Sequence, residues 1–384
     1  MKKTLRCLLS VALILTMLLS MVGAVSAAPA EPETVETVGD LLQPTKNGAA
    51  GTPVRDAGQW QWNELLGEAP ESFDTKKNNA VAATTTPPDK GLIFNDDTEL
   101  ETVLSYMRAQ MKARKASVAV TYETKDFYDY SAFAEALFQA AIAHTGVGNE
   151  GDYLRWLWRS RSRHVYGTQG VYLTYTFKLT YLTTAAQEQQ MDTAVASLLR
   201  QLNLNGLTNY KKVRKIYDWI CANVTYDHTG LKQGIDNSPL TWTPYKALLQ
   251  GTSVCQGYAL LFYRLALESG VDNRFIGGKG DGGDHGWNIV RLGGKYYNLD
   301  ATWDAGKTSY QWFLLTDGNF VRHVRDADYL TADFYKAYPM GATNYNPNVT
   351  IPGDMNGDGE LTTNDAVYLL LHIMFGAEDY PLAV

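Results

Sequence analysis

Cysteine is scarce in this 384-residue chain, with three residues at positions 7, 221 and 255. Beyond residue 27 no apolar run is long enough to span a bilayer. Positive charge is short as well: 34 Lys and Arg face 41 Asp and Glu, a net charge of −7, which argues against nucleic acid or an anionic membrane as partner. Histidine numbers only six, so acid–base chemistry near neutral pH has few places to sit.

The one long apolar run lies at the start. Lys2, Lys3 and Arg6 precede Leu8 to Val25, and Val25-Ser26-Ala27 reads as a small-residue cleavage site. This predicts a signal peptide over 1–27 and a secreted, extracellular chain with no membrane contact after removal. An uncleaved anchor is the alternative; the small residues and Pro29 and Pro32 favour cleavage. Cleavage removes three positive charges and no negative ones, moving the net charge from −7 to −10. It also removes Cys7, leaving Cys221 and Cys255, which could pair as a disulfide. Their settings differ, however. Cys221 lies beside Ile216, Ile220 and Val224, spaced as on a helix, and reads as a small core residue.

Residues 28–91 are mostly Pro, Ala, Thr, Glu and Asn without periodicity, which predicts a disordered spacer with "QWQWNELLGE" as a short ordered island. Residues 92–207 read as an N-terminal α+β region. "DTELETVLSYMRAQMKARK" and "DYSAFAEALFQAAIAHTG" (ending at Gly146) carry helix patterns, "ASVAVTYE" is a short strand, and Val171 to Tyr181 alternates as one long half-buried strand. Helices are expected over about 185–202 and 209–224, and mixed helices with antiparallel-looking strands predict an α+β class. Residues 208–338 form the expected catalytic core, 339–352 a Pro/Asn/Gly linker, and 353–384 a small module.

In "TSVCQGYALLFYRLALESG", Leu260, Leu261, Leu265 and Leu267 surround Phe262 and Tyr263 up to Gly270, which predicts a buried helix with Cys255 at its start. The N–H groups and dipole of a helix N-terminus favour a thiolate. That suits a nucleophile, although a small apolar filler would fit the same place. A thiol enzyme also needs a base and a group to orient it. In "GDHGWNIVRLGGKYYNLDATWDAG", Gly293-Gly294 joins two strand-like runs as a hairpin. If Leu292 faces Lys295, facing pairs sum to 587, and Asp300 becomes the diagonal neighbour of His285 on one face. Such diagonals lie roughly 7–8 Å apart at the backbone, within reach of an imidazole and a carboxylate. His144, His164, His228, His323 and His372 show no such pattern and read as surface or helix residues.

At these residues the sequence resembles the transglutaminase-like superfamily over roughly Tyr210 to Asp304, in "YDWICANVTYD", "YKALLQGTSVCQGYALLFYRL", "DHGWNIV" and "YYNLDATWD". The resemblance implies a papain-like core with the cysteine helix on an antiparallel sheet, Cys255 as nucleophile, His285 as general base and Asp300 as orienting acid. Gln256 stands where the true transglutaminases carry Trp, as in the bacterial protease-like branch, and Gly286 stands where Ala is usual in bacterial relatives. The Cys255 N–H is the expected oxyanion donor, with Trp242 and Gln250 as candidates for the second.

The C-terminal "DMNGDGELTTND" sets Asp354, Asn356 and Asp358 at positions 1, 3 and 5, Gly359 at the sharp turn, the Glu360 carbonyl at 7 and Asp365 at 12, hard oxygen donors for Ca²⁺. With "AVYLLLHIMFG" it resembles one repeat of a dockerin, the calcium-loaded plug that docks enzymes onto a cohesin of a cellulosome-like scaffold; Thr363 and Asn364 fall at the recognition positions. A single helix carrying Leu369, Leu370, Ile373 and Phe375 cannot bury its apolar face alone. The chain thus reads as a secreted thiol hydrolase of protein or peptide amide bonds with no cofactor in catalysis. The alternatives are a protein-glutamine transglutaminase and a silent polymer-binding module with Trp242, Trp287 and Trp303 lining a groove.

Overall fold

The computed structural model describes residues 36–37, 56–66, 89–348, 352–356, 361 and 363–382. The expected signal at 1–27 and most of the expected spacer lie outside them. In chain order, β1 (Glu36–Thr37), α1 (Trp62–Leu66), β2 (Leu92–Asn95), α2 (Leu100–Lys112), β3 (Ser117–Glu123), α3 (Tyr130–Ala141), α4 (Asp152–Arg155), β4 (Trp158–Thr168) and β5 (Tyr172–Tyr181) build the first half. Their strands form one sheet in the order β1-β4-β5-β3-β2, antiparallel except for the β2/β3 pair.

The two strands expected here, at "ASVAVTYE" and over 171–181, are β3 and β5 of a five-stranded sheet, to which β1, β2 and β4 add three that were not expected. β5 lies at its centre, and residues 173 to 177 are buried on both faces rather than one. β4 escapes a hydrophobicity pattern because Arg159, Arg161 and Arg163 punctuate it. Arg161 is nonetheless buried, paired with Glu135 and laid over the Phe138 ring at 4.3 Å. The island ahead of the sheet is anchored by aromatic stacking, with the Trp62 ring 5.5 Å from Phe94 and 5.9 Å from Tyr122. α3 stops at Ala141, short of Gly146, and the chain then turns inward with Ile142 and Ala143 buried.

The second half runs α5 (Ala185–Leu202), α6 (Asn209–Asn223), β6 (Thr225–Tyr226), α7 (His228–Asn237), α8 (Pro244–Gln250), β7 (Thr252–Ser253), α9 (Cys255–Glu268), β8 (Asn273–Gly280), β9 (Gly283–Leu292), β10 (Lys295–Leu299), β11 (His323–Arg325), α10 (Ala332–Ala337) and α11 (Thr363–Phe375). Its sheet has the order β10-β9-β8-β11, antiparallel throughout. α9 lies across β8 and β9 with eleven of its residues buried. Each buried Leu or Phe there contributes about 1.5–3 kcal/mol. Asn288 Nδ2 on β9 donates to the Ala259 carbonyl at 3.0 Å, tying helix to sheet.

Two expected boundaries move. Met191, Val195 and Leu198 of α5 share a core with Ile216, Ile220, Tyr258 and Leu261, so α5 belongs with the second half. The expected linker begins later than residue 339, because the Gly341 N–H bonds the Tyr296 carbonyl, the Tyr345 N–H bonds that of Leu314, and Tyr345 stacks on Tyr210.

Candidate active site

β6 and β7 pair in parallel, and the Asp227 N–H donates to the Ser253 carbonyl at 2.9 Å, which fixes the approach to α9. Asp227 also caps α7 through the Gly230 N–H and accepts from Thr241 and Lys246; the Lys246 ammonium chiefly holds its pKa at about 2. Val254 occupies the N-cap of α9 without a side-chain cap, and Cys255 opens the helix half-buried. The close approach depends on Gly257. A β-carbon there would stand 1.9 Å from Ser253 Oγ and 2.7 Å from the Thr243 carbonyl oxygen. Gly257→Ala is expected to cost about 1–3 kcal/mol by overpacking, read as a lowered urea midpoint with unchanged slope.

The hairpin pairs Lys295 with Leu292 and Leu299 with Asn288, the register expected from the Gly-Gly turn. β10 ends at Leu299, and just beyond it Asp300 Oδ2 meets His285 Nε2 at 2.7 Å. Asp300 Oδ1 accepts the N–H groups of Thr302 at 2.9 Å and Trp303 at 3.3 Å, so the carboxylate is held from both ends. Cys255 lines the same cleft as His285 and acts on its imidazole; with Nε2 taken by Asp300, Nδ1 is the nitrogen left for sulfur. Burial pushes the His285 pKa down, but the charge and hydrogen bond of Asp300, helped by Cys255, outweigh it and lift it to about 10. Burial works against ionised Asp300 too, yet His285 and His323 hold it well below the usual carboxylate range.

His323 corrects the expectation of a surface residue. Its Nε2 lies 3.1 Å from Asp300 Oδ2, and its side chain is 1% exposed. Phe320, Trp303, Trp287 and Trp312 box the ring at centroid distances of 3.9, 4.2, 5.1 and 5.1 Å. β11 brings it there by pairing with β8, where His323 faces Gly280. The only local signal was the short alternation in "RHVRD", which names no partner. His144 is likewise buried, against the Tyr263 hydroxyl at 2.8 Å.

Cys221 is buried in the core with its thiol 3.7 Å from the Ala301 carbonyl, and burial with Asp304 and Asp300 nearby pushes its pKa far up. Both cysteines are free, so the disulfide alternative is set aside. An apolar cleft of about 410 Å³ opens at Cys255 and His285, walled by Tyr226, Leu231, Ile235, Trp242, Val254 and Phe275. Leu231 and Ile235 come from α7, which Gly234 breaks with φ 76°. Trp242 lines this cleft, whereas Gln250 is exposed at the end of α8 and outside it. Trp287 does not line a groove; it is 2% exposed in the core behind His285. A larger cavity of about 1050 Å³ lies between Asp56–Trp62 and Val271–Asp272, but no cysteine or serine lines it.

Gln256 is buried, with Nε2 donating to the carbonyls of Trp156 at 2.7 Å and Trp242 at 3.0 Å. A β-carbon on Gly286 would sit 2.5 Å from the Phe275 ring, so glycine leaves that ring room to wall the cleft. In the C-terminal loop, buried Asp365 Oδ1 accepts the Met355 N–H at 2.9 Å and the Asn356 N–H at 3.5 Å. Asp365 thus folds back onto the residues that follow Asp354. Asp358 and Glu360 lie outside the described residues. No helix among the described residues is long and apolar enough to cross a membrane.

Among curated proteins the chain is similar to kyphoscoliosis peptidase of Homo sapiens, 29% identical over 159 residues, 37% of this chain and 23% of that protein. The Mus musculus counterpart is 28% identical over 158 residues with the same coverage. The matched part is under a quarter of the length of these relatives. Among solved structures, one described as a TGase is 13% identical, covers 56% of this chain and 60% of its own, and has a TM-score of 0.25. A cysteine protease candidate from Cytophaga hutchinsonii is 15% identical, covers 46% and 65%, and has a TM-score of 0.23. The family model of the transglutaminase-like superfamily matches residues 196–301, the stretch that holds Cys255, His285 and Asp300. Residues 196–301 carry a transglutaminase-like domain.

Proposed function

We propose that the protein is a thiol-dependent hydrolase of protein or peptide amide bonds, with Cys255 as nucleophile, His285 as acid and base, and Asp300 as the group that orients His285. The carrying observation is one imidazole bonded to Asp300 at 2.7 Å and sharing a cleft with a thiol at the start of a buried helix. The Cys255 thiolate attacks the amide carbonyl carbon, and the oxyanion forms near the Cys255 N–H, with Trp242 at the cleft as the second candidate donor. His285 then gives its proton to the leaving nitrogen, the C–N bond breaks, and a thioester remains. Water attacks the thioester as His285 takes its proton, the C–S bond breaks, and the carboxylic acid leaves.

The similarity to a peptidase favours water over an amine as the second nucleophile. Amine attack on the same thioester is the transglutaminase alternative, and Gln256 in place of the Trp of true transglutaminases counts against it. Incubation with fluorogenic peptides, with and without a primary amine, tests this: amide cleavage that Cys255→Ala abolishes is expected, and amine incorporation without cleavage would overturn hydrolysis. His323→Gln, which loosens one of the two imidazoles on Asp300, is expected to lower kcat about tenfold with KM little changed, measured on the same peptides.

The apolar start over 1–27 supports export of this enzyme. The C-terminal loop is proposed to hold Ca²⁺ through Asp354, Asn356, Asp358, the Glu360 carbonyl and Asp365, a donor set of hard oxygens. The fold-back of Asp365 supports that reading. Calcium held there would anchor the start of α11, whose Leu370, Ile373 and Phe375 are 54, 70 and 56% exposed, for a cohesin-type partner.

A further inference from the structure

Asp300 Oδ2 lies between two imidazoles, whereas orienting a catalytic histidine requires one. We propose that His285, Asp300 and His323 form a binding site for a first-row divalent cation of the Zn²⁺ type, and that its occupancy shuts off the thiol centre. One ring nitrogen of His285, one of His323 and one carboxylate oxygen of Asp300 all lie within 4.8 Å of one another, the one such His/Cys/Asp/Glu cluster among the described residues. Two ligands on a tetrahedral cation with bonds of about 2.0–2.2 Å stand roughly 3.3–3.6 Å apart. The His323–Asp300 separation of 3.1 Å is within a few tenths of an ångström of this, and His285 at 2.7 Å must draw back by roughly 0.6–0.9 Å.

The surroundings suit a metal as well as the three atoms do. Metal-bound histidines donate their other ring N–H to an acceptor, and a ligating carboxylate is itself hydrogen-bonded. The second nitrogen of His285 is left for the cleft that Cys255 lines, and His323 Nδ1 faces the Val321 carbonyl at 3.5 Å. Asp300 Oδ1 is taken by two backbone N–H groups, which leaves Oδ2 aimed at the cluster. The side chains are 6, 1 and 1% exposed, and Trp303 and Trp287 stack on His285 at 5.2 and 6.1 Å, so the ligands are held rigidly before any cation arrives.

Two imidazoles and one carboxylate select a borderline cation such as Zn²⁺ or Co²⁺ over Ca²⁺, which wants oxygen alone. The cluster and the C-terminal loop therefore take different ions. On binding, two N–metal bonds and one O–metal bond form, and the Nε2 protons of His285 and His323 leave to solvent. His285 then holds one proton, on Nδ1, and can no longer shuttle between sulfur and the leaving group. Inhibition thus rests on the proposed hydrolase reading, while cation binding stands without it.

The test titrates Zn²⁺ into the full chain in excess Ca²⁺, using wild type, Cys255→Ala and His323→Gln. The expected result is binding by Cys255→Ala within a few-fold of wild type, a rise in its melting temperature with Zn²⁺, and weakening of at least about tenfold in His323→Gln, a loss that even an outer partner's removal brings. Co²⁺ bound to the wild type should show ligand-field bands without a thiolate charge-transfer band. Binding lost in Cys255→Ala but kept in His323→Gln would overturn the proposal in favour of a thiolate–imidazole site. So would a thiolate band, or no binding by wild type at millimolar Zn²⁺. The Cys255→Ala and Co²⁺ measurements decide the matter even if His323→Gln fails to fold, and a chain that binds Zn²⁺ yet cleaves no peptide would refute the hydrolase reading alone.

Discussion

His285→Ala will lower amide hydrolysis by roughly 10²–10⁴-fold and will bring the rate of Cys255 alkylation at pH 6 down to that of an ordinary thiol. In the wild type, Asp300 and Cys255 keep the imidazole protonated up to a pKa of about 10 against the pull of burial. A cation therefore stands beside the sulfur throughout the neutral range, in addition to the dipole at the start of α9. Alkylation at pH 6 should therefore be faster in the wild type than in the variant. The same proton is the one the leaving nitrogen receives, so kcat/KM should fall on the basic side near pH 10. Stability follows the same sign. A folded-state pKa raised above 6.5 contributes stability that is complete below pH 6.5 and is lost as pH rises through about 10. Iodoacetamide kinetics from pH 5 to 10 measure the effect, and equal profiles in wild type and variant would remove the catalytic reading of Cys255.

The parts of this site that a sequence carries are those set by short-range rules. The Gly293-Gly294 turn dictates register as far as Leu299 opposite Asn288, which brings Asp300, just beyond the strand, to His285. Apolar spacing likewise locates α9 with Cys255 at its start. His323 is a different case: it arrives through the pairing of β11 with β8, and no residue near it in the chain reports that pairing. β4 was hidden because its arginines are satisfied by tertiary partners, Glu135 and the Phe138 ring, which outweigh their poor fit to an alternating pattern. The strand at 172–181 was legible as a strand but not as a central one, since Thr174 and Thr176 are buried by neighbours on both sides. The paired loops that bring Trp242 to the cleft depend on Ser253 Oγ donating to the Thr241 carbonyl at 2.6 Å, a contact between residues that show no periodicity.

Asp152→Ala will destabilise the protein by about 3–5 kcal/mol, the cost of leaving a buried charge without its partner, out of a total stability of about 5–15 kcal/mol. Asp152 and Arg274 are 0 and 1% exposed, and the carboxylate receives Nε at 2.8 Å and Nη2 at 2.9 Å in a two-pronged pair. Burial alone would raise the Asp152 pKa, but the Arg274 guanidinium lowers it below 3.8. Its contribution is therefore present above that value and lost as pH falls through the lower folded one. The pair also joins the two halves of the molecule, since Asp152 opens α4 beside the first sheet and Arg274 lies in β8 of the second. Asp152 Oδ2 further accepts the Phe275 N–H at 3.0 Å, and the Phe275 ring walls the cleft at Cys255. Losing Asp152 should thus loosen the cleft and the junction together, and wild-type unfolding should be one transition rather than two. Replacing both partners, Asp152→Ala with Arg274→Met, should be markedly less costly than Asp152→Ala alone, because no charge is then stranded. Urea melts of the three variants measure this, and a single-variant loss below about 1 kcal/mol, or two separate transitions in the wild type, would mean that the halves stand independently and that the first does not shape the cleft.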